Sequence, residues 1–270
     1  MLLTDFKSAY LPTPRVRGSD PSWLEGIANG RPAFILGGAG GLVESTGLQA
    51  AQHEIVIGTN WTLRALVPTI WHVVDSAVWK SDRGLVDKCS VDMVIVANKG
   101  IFGGGLYSSV GSKQLRMVGV RNRRIAEITI APVHGGVRAK NGQIKKPLVE
   151  PYMPASFTKP FHPGGNSACF TIQTAHLMGC NPIYLLGFTL QSGTGYFFGR
   201  TNPVTRRSAL YDQERALSWL TWYRQANPGR AKLWPGWSGP IYDVLEVADE
   251  AELRSRHKPN PNVGDAVAVE

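Results

Sequence analysis

Residues 164–190, GGNSACFTIQTAHLMGCNPIYLLGFTL, contain the pattern that decides the fold. After a loop of small residues, apolar side chains recur as on one face of a helix, which predicts a helix over 168–178. Gly179 and Pro182 form a stop signal for that helix, and the apolar run 183–186 is typical of a parallel strand buried on both faces. A helix that leads into such a strand is half of an α/β unit, so the stretch predicts an α/β fold.

Both ends of this stretch are suited to ligand binding. The start of the predicted helix, at Asn166 and Ser167, offers N–H groups and the positive end of the helix dipole, which suit a phosphate. In open parallel sheets, ligands bind outside the carboxyl ends of the strands. Gly187 and Thr189, just after the predicted strand, are therefore candidate site residues.

The strand pattern recurs four times nearer the N-terminus. Apolar runs predict strands over 32–36, 54–58, 71–74 and 91–97. A small or polar residue closes each of them, namely Gly37, Asn60, Asp75 and Asn98. Because the carboxyl ends of parallel strands lie along one edge of a sheet, we expect these residues to converge on one crevice. Taken singly, each of them also fits an ordinary turn.

A glycine-rich turn follows the first predicted strand. Gly37, Gly38 and Gly40 lie in it, ahead of a predicted helix, as in the phosphate loop of a nucleotide-binding βα unit. The spacing matches neither GxGxxG nor a Walker A motif. The sequence therefore leaves a phosphate loop and a structural turn as alternatives.

Length and composition favour one large α/β domain with a tail, because 270 residues, 43% of them hydrophobic, can bury a sizeable core. Three cysteines without metal-type spacing indicate reduced thiols. We find no signal peptide and no apolar run long enough to cross a bilayer, so we expect a cytoplasmic protein with no membrane partner. The net charge of +9 fits either a polyanionic partner or a solvated basic surface.

The predicted fold class is α/β, with a Rossmann-like, mostly parallel sheet flanked by helices. Three segments are expected: an irregular N-terminal arm over 1–31 with a short helix beginning at Pro21, a single Rossmann-like domain over 32–257, and a flexible tail over 258–270. The last part of the domain is predicted to contain helices over 206–224 and 241–254 and a short strand over 232–234.

An insertion at about 100–163 differs in character from the rest of the domain. Its stretch 113–146 has nine Lys and Arg residues against one acid, Glu127. A turn at 140–143 predicts a hairpin, with a strand over 125–130 leading into it, and a proline-rich loop follows. We expect a basic hairpin and lid that receive an acceptor through Arg121, Arg123, Arg124, Lys140, Lys145 and Lys146. A solvated hairpin is the alternative.

Several of these motifs together resemble the bacterial lipooligosaccharide-type sialyltransferases, which use CMP-sialic acid. They are the glycine-rich first loop, the Asn after the second strand, the small-residue helix start, the GCNPIYLLG block and the aromatic loop at 191–200. They equally resemble the related superfamily that includes 6-hydroxymethylpterin pyrophosphokinase and many phage-borne members. The resemblance covers about 32–243 and is absent across 100–160.

The resemblance implies a donor site for a nucleotide-activated sugar. It assigns the nucleotide to Gly37, Gly38, Gly40 and Asn60, and further donor contacts to the helix start at Asn166 and Ser167. The other strand-end residues, Asn98, Gly187 and Thr189, complete the expected site. Tyr196 falls in the loop in which tyrosines of the family assist the departing phosphate.

The chain departs from the family at two positions. The family's Gly-x-Asp is Gly187-Phe188-Thr189 here, so an acid is missing. No histidine lies between His176 and His257, the region in which the family has its catalytic base. The base therefore has to be another residue.

Four residues are candidates for that base. Asp75 is favoured by its position after the third strand, where an acid in the wider family serves a metal or acts as base. His162 fits by type, because a side chain that titrates near neutral pH suits a general base, although a structural role is an equal alternative. Asp212 and Glu214 are the others. We expect no resident cofactor, and a divalent metal at Asp75 stays open.

Three functional hypotheses follow. The first is a glycosyltransferase that uses a nucleotide-sugar donor, with a modified base in DNA or RNA as the acceptor. The basic stretch 113–146 would bind the nucleic acid, and the aromatic loop at Tyr196 would stack a flipped base. The second is an ATP-dependent pyrophosphokinase acting on a small pterin-like alcohol. The third is a non-catalytic nucleic-acid-binding protein on the same fold, which the two missing family residues favour.

Overall fold

An eight-stranded, all-parallel sheet forms the centre of the protein in the computed structural model. The structure describes residues 6–9, 11, 21–73, 78, 81–82, 85, 93–99, 124–131, 137–138, 144–145, 149–190 and 208–256. With helices packed on the sheet, the arrangement is α/β and Rossmann-like, and the predicted fold class is confirmed.

The strands are short and follow one another with parallel crossovers. In chain order they are β1 (Ala33–Leu36), β2 (Ile55–Thr59), β3 (Ile70–Val73), β4 (Met93–Lys99), β5 (Arg124–Ile130), β6 (Val137–Arg138), β7 (Ile144–Lys145), β8 (Ile183–Leu186), β9 (Ala231–Leu233) and β10 (Glu246–Val247). The order across the main sheet is β10-β9-β8-β1-β2-β3-β4-β5. β6 and β7 pair separately as an antiparallel hairpin, which confirms the hairpin predicted around 140–143.

The helices are α1 (Thr46–Ala50), α2 (Ser167–Leu177), α3 (Ser208–Ala226) and α4 (Glu250–Arg256). Three 3₁₀ turns are Ser22–Leu24, Asn60–Arg64 and Pro240–Asp243, and residues 78, 81, 82 and 85 are helical as well. α2 is the central helix, because it packs on β1, β2 and β8 and is covered in turn by α3. Burial from both sides explains why its polar residues Thr171, Gln173 and Thr174 are as buried as its apolar ones.

The two faces of the sheet pack against different partners. Ile35, Ile57 and Ile70 face α2 and join the larger core, which extends to Trp219 and Tyr223 of α3. Their neighbours along the strands, such as Phe34 and Leu36, face the opposite way and pack with α1 and Trp234. This alternation of burial on both faces is what a central parallel sheet requires.

Most predicted elements occur within two residues of their expected bounds, but two predictions are wrong. The expected helix over 241–254 is divided into a 3₁₀ turn, the edge strand β10 and α4, because Glu246 and Val247 pair with β9 instead of continuing a helix. Asn98 does not follow the fourth strand, because β4 pairs with β5 over its whole length up to Lys99.

The N-terminal segment is partly joined to the domain. Residues 21–30 run along the C-terminal end of α2, where Gly26 N–H donates to the Leu177 carbonyl at 2.9 Å and Ala28 N–H to Met178 at 2.8 Å. Leu24 and Ala28 are fully buried in the larger core. This part of the predicted arm is therefore packed on the C-terminal end of α2.

Candidate functional site

The candidate site lies at the carboxyl edge of the sheet, where the strand order reverses. From β1 the chain proceeds through β2, β3 and β4 to β5 on one side, and β8 lies on the other side of β1. Connections leave the ends of β1 and β8 in opposite directions at such a switch point, and this is where open α/β sheets bind ligands. The loops after β1 and β8 therefore frame the site.

These two loops touch backbone to backbone. Gly37 N–H donates to the Leu186 carbonyl at 2.7 Å, and Ala39 N–H donates to the Gly187 carbonyl at 3.0 Å. A Cβ on Gly37 would overlap the Gly187 carbonyl oxygen, and Gly187 itself has a left-handed φ of 69°. Gly37 is thus needed for the approach of another protein segment, which supports the structural-turn alternative for that glycine.

The rest of the glycine-rich turn is more accessible. Gly38 is half-buried and Gly40 is exposed, so their backbone is open to a ligand at this edge. The Gly40 carbonyl accepts a hydrogen bond from Trp237 Nε1 at 2.8 Å. The turn therefore presents backbone groups in a fixed arrangement.

β2 contributes its polar end to the same edge. Thr59 Oγ1 donates to the Leu36 carbonyl at 2.7 Å, which ties the end of β2 to the end of β1. Asn60 follows with a left-handed φ of 46°, a conformation that Asn tolerates, and its carbonyl accepts from Trp71 Nε1 at 2.7 Å. Asn60 is half-buried and held from its backbone, as a ligand-binding side chain should be.

α2 begins at this edge as well. Its last turn leads through residues 179–182 into the start of β8, so the helix runs antiparallel to β8 and its N-terminus lies at the carboxyl ends of the strands. Asn166 is the N-cap, and its Oδ1 accepts from Ala168 N–H at 2.8 Å. The positive end of the α2 dipole, at Asn166 and Ser167, therefore lies at the same edge of the sheet as the glycine-rich turn.

The segment after β9, Trp234 to Gly239, also borders the candidate site and was not predicted as part of it. Trp237 binds the Gly40 carbonyl, and Trp234 Nε1 donates to Thr46 Oγ1 at 3.3 Å. A Cβ on Gly239 would overlap the Thr189 carbonyl oxygen. The run WPGWSG at 234–239, rich in Trp and Gly, was the signal that could have indicated a packed loop.

Thr189, which occupies the position of the family's acid, is buried beneath the segment 234–239, with 8% of its surface exposed. The edge as described thus contains the backbone of Gly38 and Gly40, a helix N-terminus and the Asn60 side chain. Such groups suit an anionic ligand with polar substituents, such as a nucleotide.

His162 lies in the loop before α2, with 2% of its surface exposed. Gly164 N–H donates to its Nδ1 at 3.1 Å, and its Nε2 lies 3.3 Å from the Val149 carbonyl oxygen. Burial lowers the pKa of this imidazole, and the charge of Arg215 lowers it further against the opposing bond to Val149. Both ring nitrogens are occupied, which favours the structural alternative for His162, whereas its role as a base stays a prediction.

An ion pair stands beside the end of β2. Asp82, with 1% of its surface exposed, accepts from Arg64 Nε at 2.8 Å and Arg64 Nη2 at 2.6 Å. The Arg64 guanidinium also covers the Trp61 ring at 4.4 Å from its centroid, and the bond to Asp82 raises the Arg64 pKa. The pair fixes the 3₁₀ turn that begins at Asn60.

Several predicted site residues lie outside the described residues: Asp75, Tyr196, Arg121, Arg123, Lys140 and Lys146. Asn98, Arg124 and Lys145 are described as positions in β4, β5 and β7. Of the alternative bases, Asp212 and Glu214 both lie in α3, Glu214 at an exposed position. The structure therefore brings together Gly37, Gly38, Gly40, Asn60, Asn166, Ser167, Gly187 and Thr189 at one edge.

Within the ranges given above, no group of three or more His, Cys, Asp or Glu side chains is arranged to hold a metal ion. In the same ranges, no helix is long and apolar enough to cross a membrane.

Comparison with known proteins gives one structural likeness. No protein-family model matches the chain, and no curated protein sequence matches it. Among solved structures, the fold is similar to that of the sialyltransferase CST-II, determined in complex with a trisaccharide acceptor and CMP. The TM-score is 0.47 at 8% sequence identity, over 82% of this chain and 88% of that one.

Proposed function

We propose that the chain is a glycosyltransferase that binds a nucleotide-activated sugar at the carboxyl edge of its sheet. The observation that supports the proposal is that the glycine-rich turn, Asn60 and the N-terminus of α2 all lie at the carboxyl edge of the sheet, where the strand order reverses between β1 and β8. A helix N-terminus and exposed turn backbone bind phosphate, and an amide beside them can select a sugar or base. The resemblance of the motifs to CMP-sugar-dependent enzymes favours CMP as the nucleotide.

The donor half of the proposal is tested by a panel of CMP, UDP, a CMP-sugar, a UDP-sugar and ATP with Mg²⁺, read by thermal shift and calorimetry. A ligand at a hundred times its Kd stabilises the folded state by about 2.7 kcal/mol. We expect CMP or its sugar to give the largest shift, and mass spectrometry to detect transfer. A response to ATP with Mg²⁺ instead supports the pyrophosphokinase, and no response supports the non-catalytic alternative.

A pair of variants locates the site. Ser167→Asp places a carboxylate in the first turn of α2, where the helix dipole favours it, so folding should be unaffected while an anionic ligand is repelled. Ser22→Asp makes the same change at an exposed position at the start of the 3₁₀ turn Ser22–Leu24, near the other end of α2. We expect CMP affinity to fall at least tenfold for Ser167→Asp alone. Equal affinities would place the ligand elsewhere.

The acceptor half of the proposal is that stretch 113–146 binds nucleic acid whose modified base is glycosylated. Its support is the sequence, with nine Lys and Arg residues against one acid. Phosphate contacts of this kind make log Kd depend on log salt with a slope of about 0.9 per phosphate neutralised on duplex DNA. We expect changing Arg121, Arg123 and Arg124 together to Ala to weaken DNA binding and flatten that slope. No binding by the wild type at low salt would favour a carbohydrate acceptor.

A further inference from the structure

His162 is held by four hydrogen bonds, two at its backbone and two at its ring, and the two at the ring determine its protonation. Its backbone N–H donates to Gln173 Oε1 at 2.8 Å, and Gln173 Nε2 donates back to its carbonyl at 3.2 Å. A backbone N–H can only donate, so the bond from Gly164 requires an unprotonated Nδ1. A backbone carbonyl can only accept, so the contact with Val149 requires a proton on Nε2. The ring is therefore the neutral Nε2–H tautomer.

The aromatic side chains around the ring fix its orientation. The Tyr152 ring meets it edge-on at 5.2 Å between centroids, and the Trp219 ring lies nearly parallel at 6.2 Å. Trp219 Nε1 in turn donates to the Tyr152 carbonyl at 3.0 Å. His162 thus joins the loop that precedes α2 to Gln173 of α2 through its backbone and to Trp219 of α3 through its ring.

The residue fixed by Nδ1 is the one that leads into the α2 N-terminus. A Cβ on Gly164 would overlap the Cys169 side chain, and Cys169 Sγ donates to the Gly164 carbonyl at 3.3 Å. Gly164 is therefore pressed against the first turn of α2, and its orientation sets the path of Gly165 and Asn166. Upstream, Phe161 is paired with Thr129 and Ala131 at the end of β5. His162 therefore lies between two residues, Phe161 and Gly164, whose positions are fixed by these contacts.

We propose that His162 is a positioning residue of the nucleotide site, whose Nδ1 orients Gly164 and so sets the start of α2, and that it does not accept the acceptor's proton. The inference rests on the proposed function for its effect on ligand binding. The tautomer and the bond to Gly164 are testable without any ligand.

Two variants separate the ring's two bonds. Asn places an amide oxygen close to where Nδ1 lies, so His162→Asn can keep the bond from Gly164 and lose the one to Val149. Gln reaches the position of Nε2, so His162→Gln keeps the Val149 bond and loses the one from Gly164. We expect the CMP Kd to rise less than tenfold for His162→Asn and more than tenfold for His162→Gln. Neither variant should move the acid limb of the pH profile of kcat.

A base would behave differently. If both variants lose turnover at least a hundredfold with an unchanged Kd for CMP, or if the acid limb disappears, His162 accepts the proton and the inference is wrong. Equal Kd values for the two variants would also overturn it, because Gly164 would then have no part in binding.

The ligand-free measurement is ¹⁵N NMR of the histidine rings in the wild type, with His162 assigned by its loss in His162→Asn. We expect the Nε2–H tautomer across pH 6 to 8, and slow exchange of the Gly164 amide that His162→Gln abolishes. A Nδ1–H tautomer overturns the inference whatever ligand binds. If the tautomer is as expected but no nucleotide binds, the proposed function fails and His162 only fixes the loop, which also ends its role as a positioning residue of a site.

Discussion

The two ends of α2 are built differently. At the C-terminal end, the carbonyls of Leu177, Met178 and Gly179 accept from backbone N–H groups of residues 26–30 at 2.8–2.9 Å, and Arg230 donates to the carbonyls of His176 and Cys180. At the N-terminal end, the described cap is Asn166, whose Oδ1 receives Ala168 N–H.

This difference distinguishes the two edges of the sheet. The C-terminal end of α2 lies at the amino edge, where the strands begin, and its N-terminal end lies at the carboxyl edge. The groups left unpaired at the end of any helix must find partners. At the amino edge the chain itself supplies them, so that edge serves stability. The carboxyl edge holds a helix N-terminus, an accessible glycine turn and Asn60, and we propose that this edge binds the ligand, as parallel α/β sheets generally do.

The largest expected effect comes from a substitution that disrupts the contact between the loops after β1 and β8 at the carboxyl edge. Gly37→Ala places a methyl group into the Gly187 carbonyl, and neither backbone can yield without disturbing β1 and β8. We expect the free energy of unfolding to fall by about 3 kcal/mol in urea denaturation, with loss of nucleotide binding. The control is Gly41→Ala in the same turn, where nothing lies within 4 Å and only the left-handed φ of 77° opposes the change, at about 1–2 kcal/mol. Equal costs would mean that the two loops do not need their close contact.

The second effect is a loss of folding stability at low pH, through His72, which contacts α2, and His176, which belongs to it. Burial lowers the pKa of His72, which bonds Thr174 Oγ1 at 3.2 Å, to about 3. Burial, and secondarily Arg230, lowers that of His176 to about 4. Both values lie below the unfolded value of 6.5, so the neutral rings stabilise the fold fully above pH 6.5, and this stability is lost as pH falls towards 4 and 3.

The test is the free energy of unfolding between pH 6.5 and 4. For His72 alone we expect a loss of about 3 kcal/mol over this range. His72→Asn should flatten the pH dependence by up to about 1.4 kcal/mol per pH unit. His53→Asn is the control, at an exposed position whose left-handed φ of 63° Asn tolerates, and its slope should match the wild type. An unchanged slope in His72→Asn would remove this ring from the acid response.

The amino edge should show stability without binding. Arg230→Ala removes the bonds from the guanidinium to the His176 and Cys180 carbonyls and to His176 Nε2, at 3.1–3.2 Å. We expect a loss of about 2 kcal/mol in urea denaturation and an unchanged Kd for CMP. Arg224→Ala, which removes an exposed ion pair with Glu246 at 3.7 Å and an exposed hydrogen bond to the Val244 carbonyl at 3.0 Å, is the control and should cost no more than about 1 kcal/mol. A weakened Kd in Arg230→Ala would contradict the division between the two edges.

The smallest effect concerns the cap itself. Asn166→Ala removes the acceptor for Ala168 N–H and should cost about 1 kcal/mol in thermal or urea unfolding. Asn166→Asp retains a capping oxygen and should stay within a few tenths of a kcal/mol of the wild type. A cost in Asn166→Asp as large as in the Ala variant would show that the side chain does not act as a cap.

Local sequence signals were enough to predict the centre of the fold. β1, β2, β3 and β8 are apolar runs bounded by turn residues, and α2 lies between a small-residue loop and a glycine stop. Such signals depend on neighbouring residues alone. Long β4 and two-residue β10 depend instead on partners distant in sequence, which is why Asn98 was placed beyond its strand and the segment 241–254 was assigned to one helix.

The placement of the candidate residues at the strand ends could be predicted, but their contacts could not. The strand ends located Gly37, Asn60 and Gly187 at one edge. The sequence could not show that Gly37 is approached by Gly187 or that Trp237, 197 residues away, binds Gly40. Nor could it show that both nitrogens of His162 are occupied, since its type alone suggests a base. Each of these facts arises from tertiary contacts that leave no local pattern.

The most direct test of the division between the two edges is a titration of the ¹⁵N-labelled protein with CMP, followed by its amide resonances. The account predicts that the amides of Gly38, Gly40, Ser167 and Gly187 shift, whereas those of Gly26, Gly30 and Gly179 at the other end of α2 do not. Shifts confined to the amino edge, or none anywhere at millimolar CMP, would contradict the assignment of the carboxyl edge as a nucleotide site.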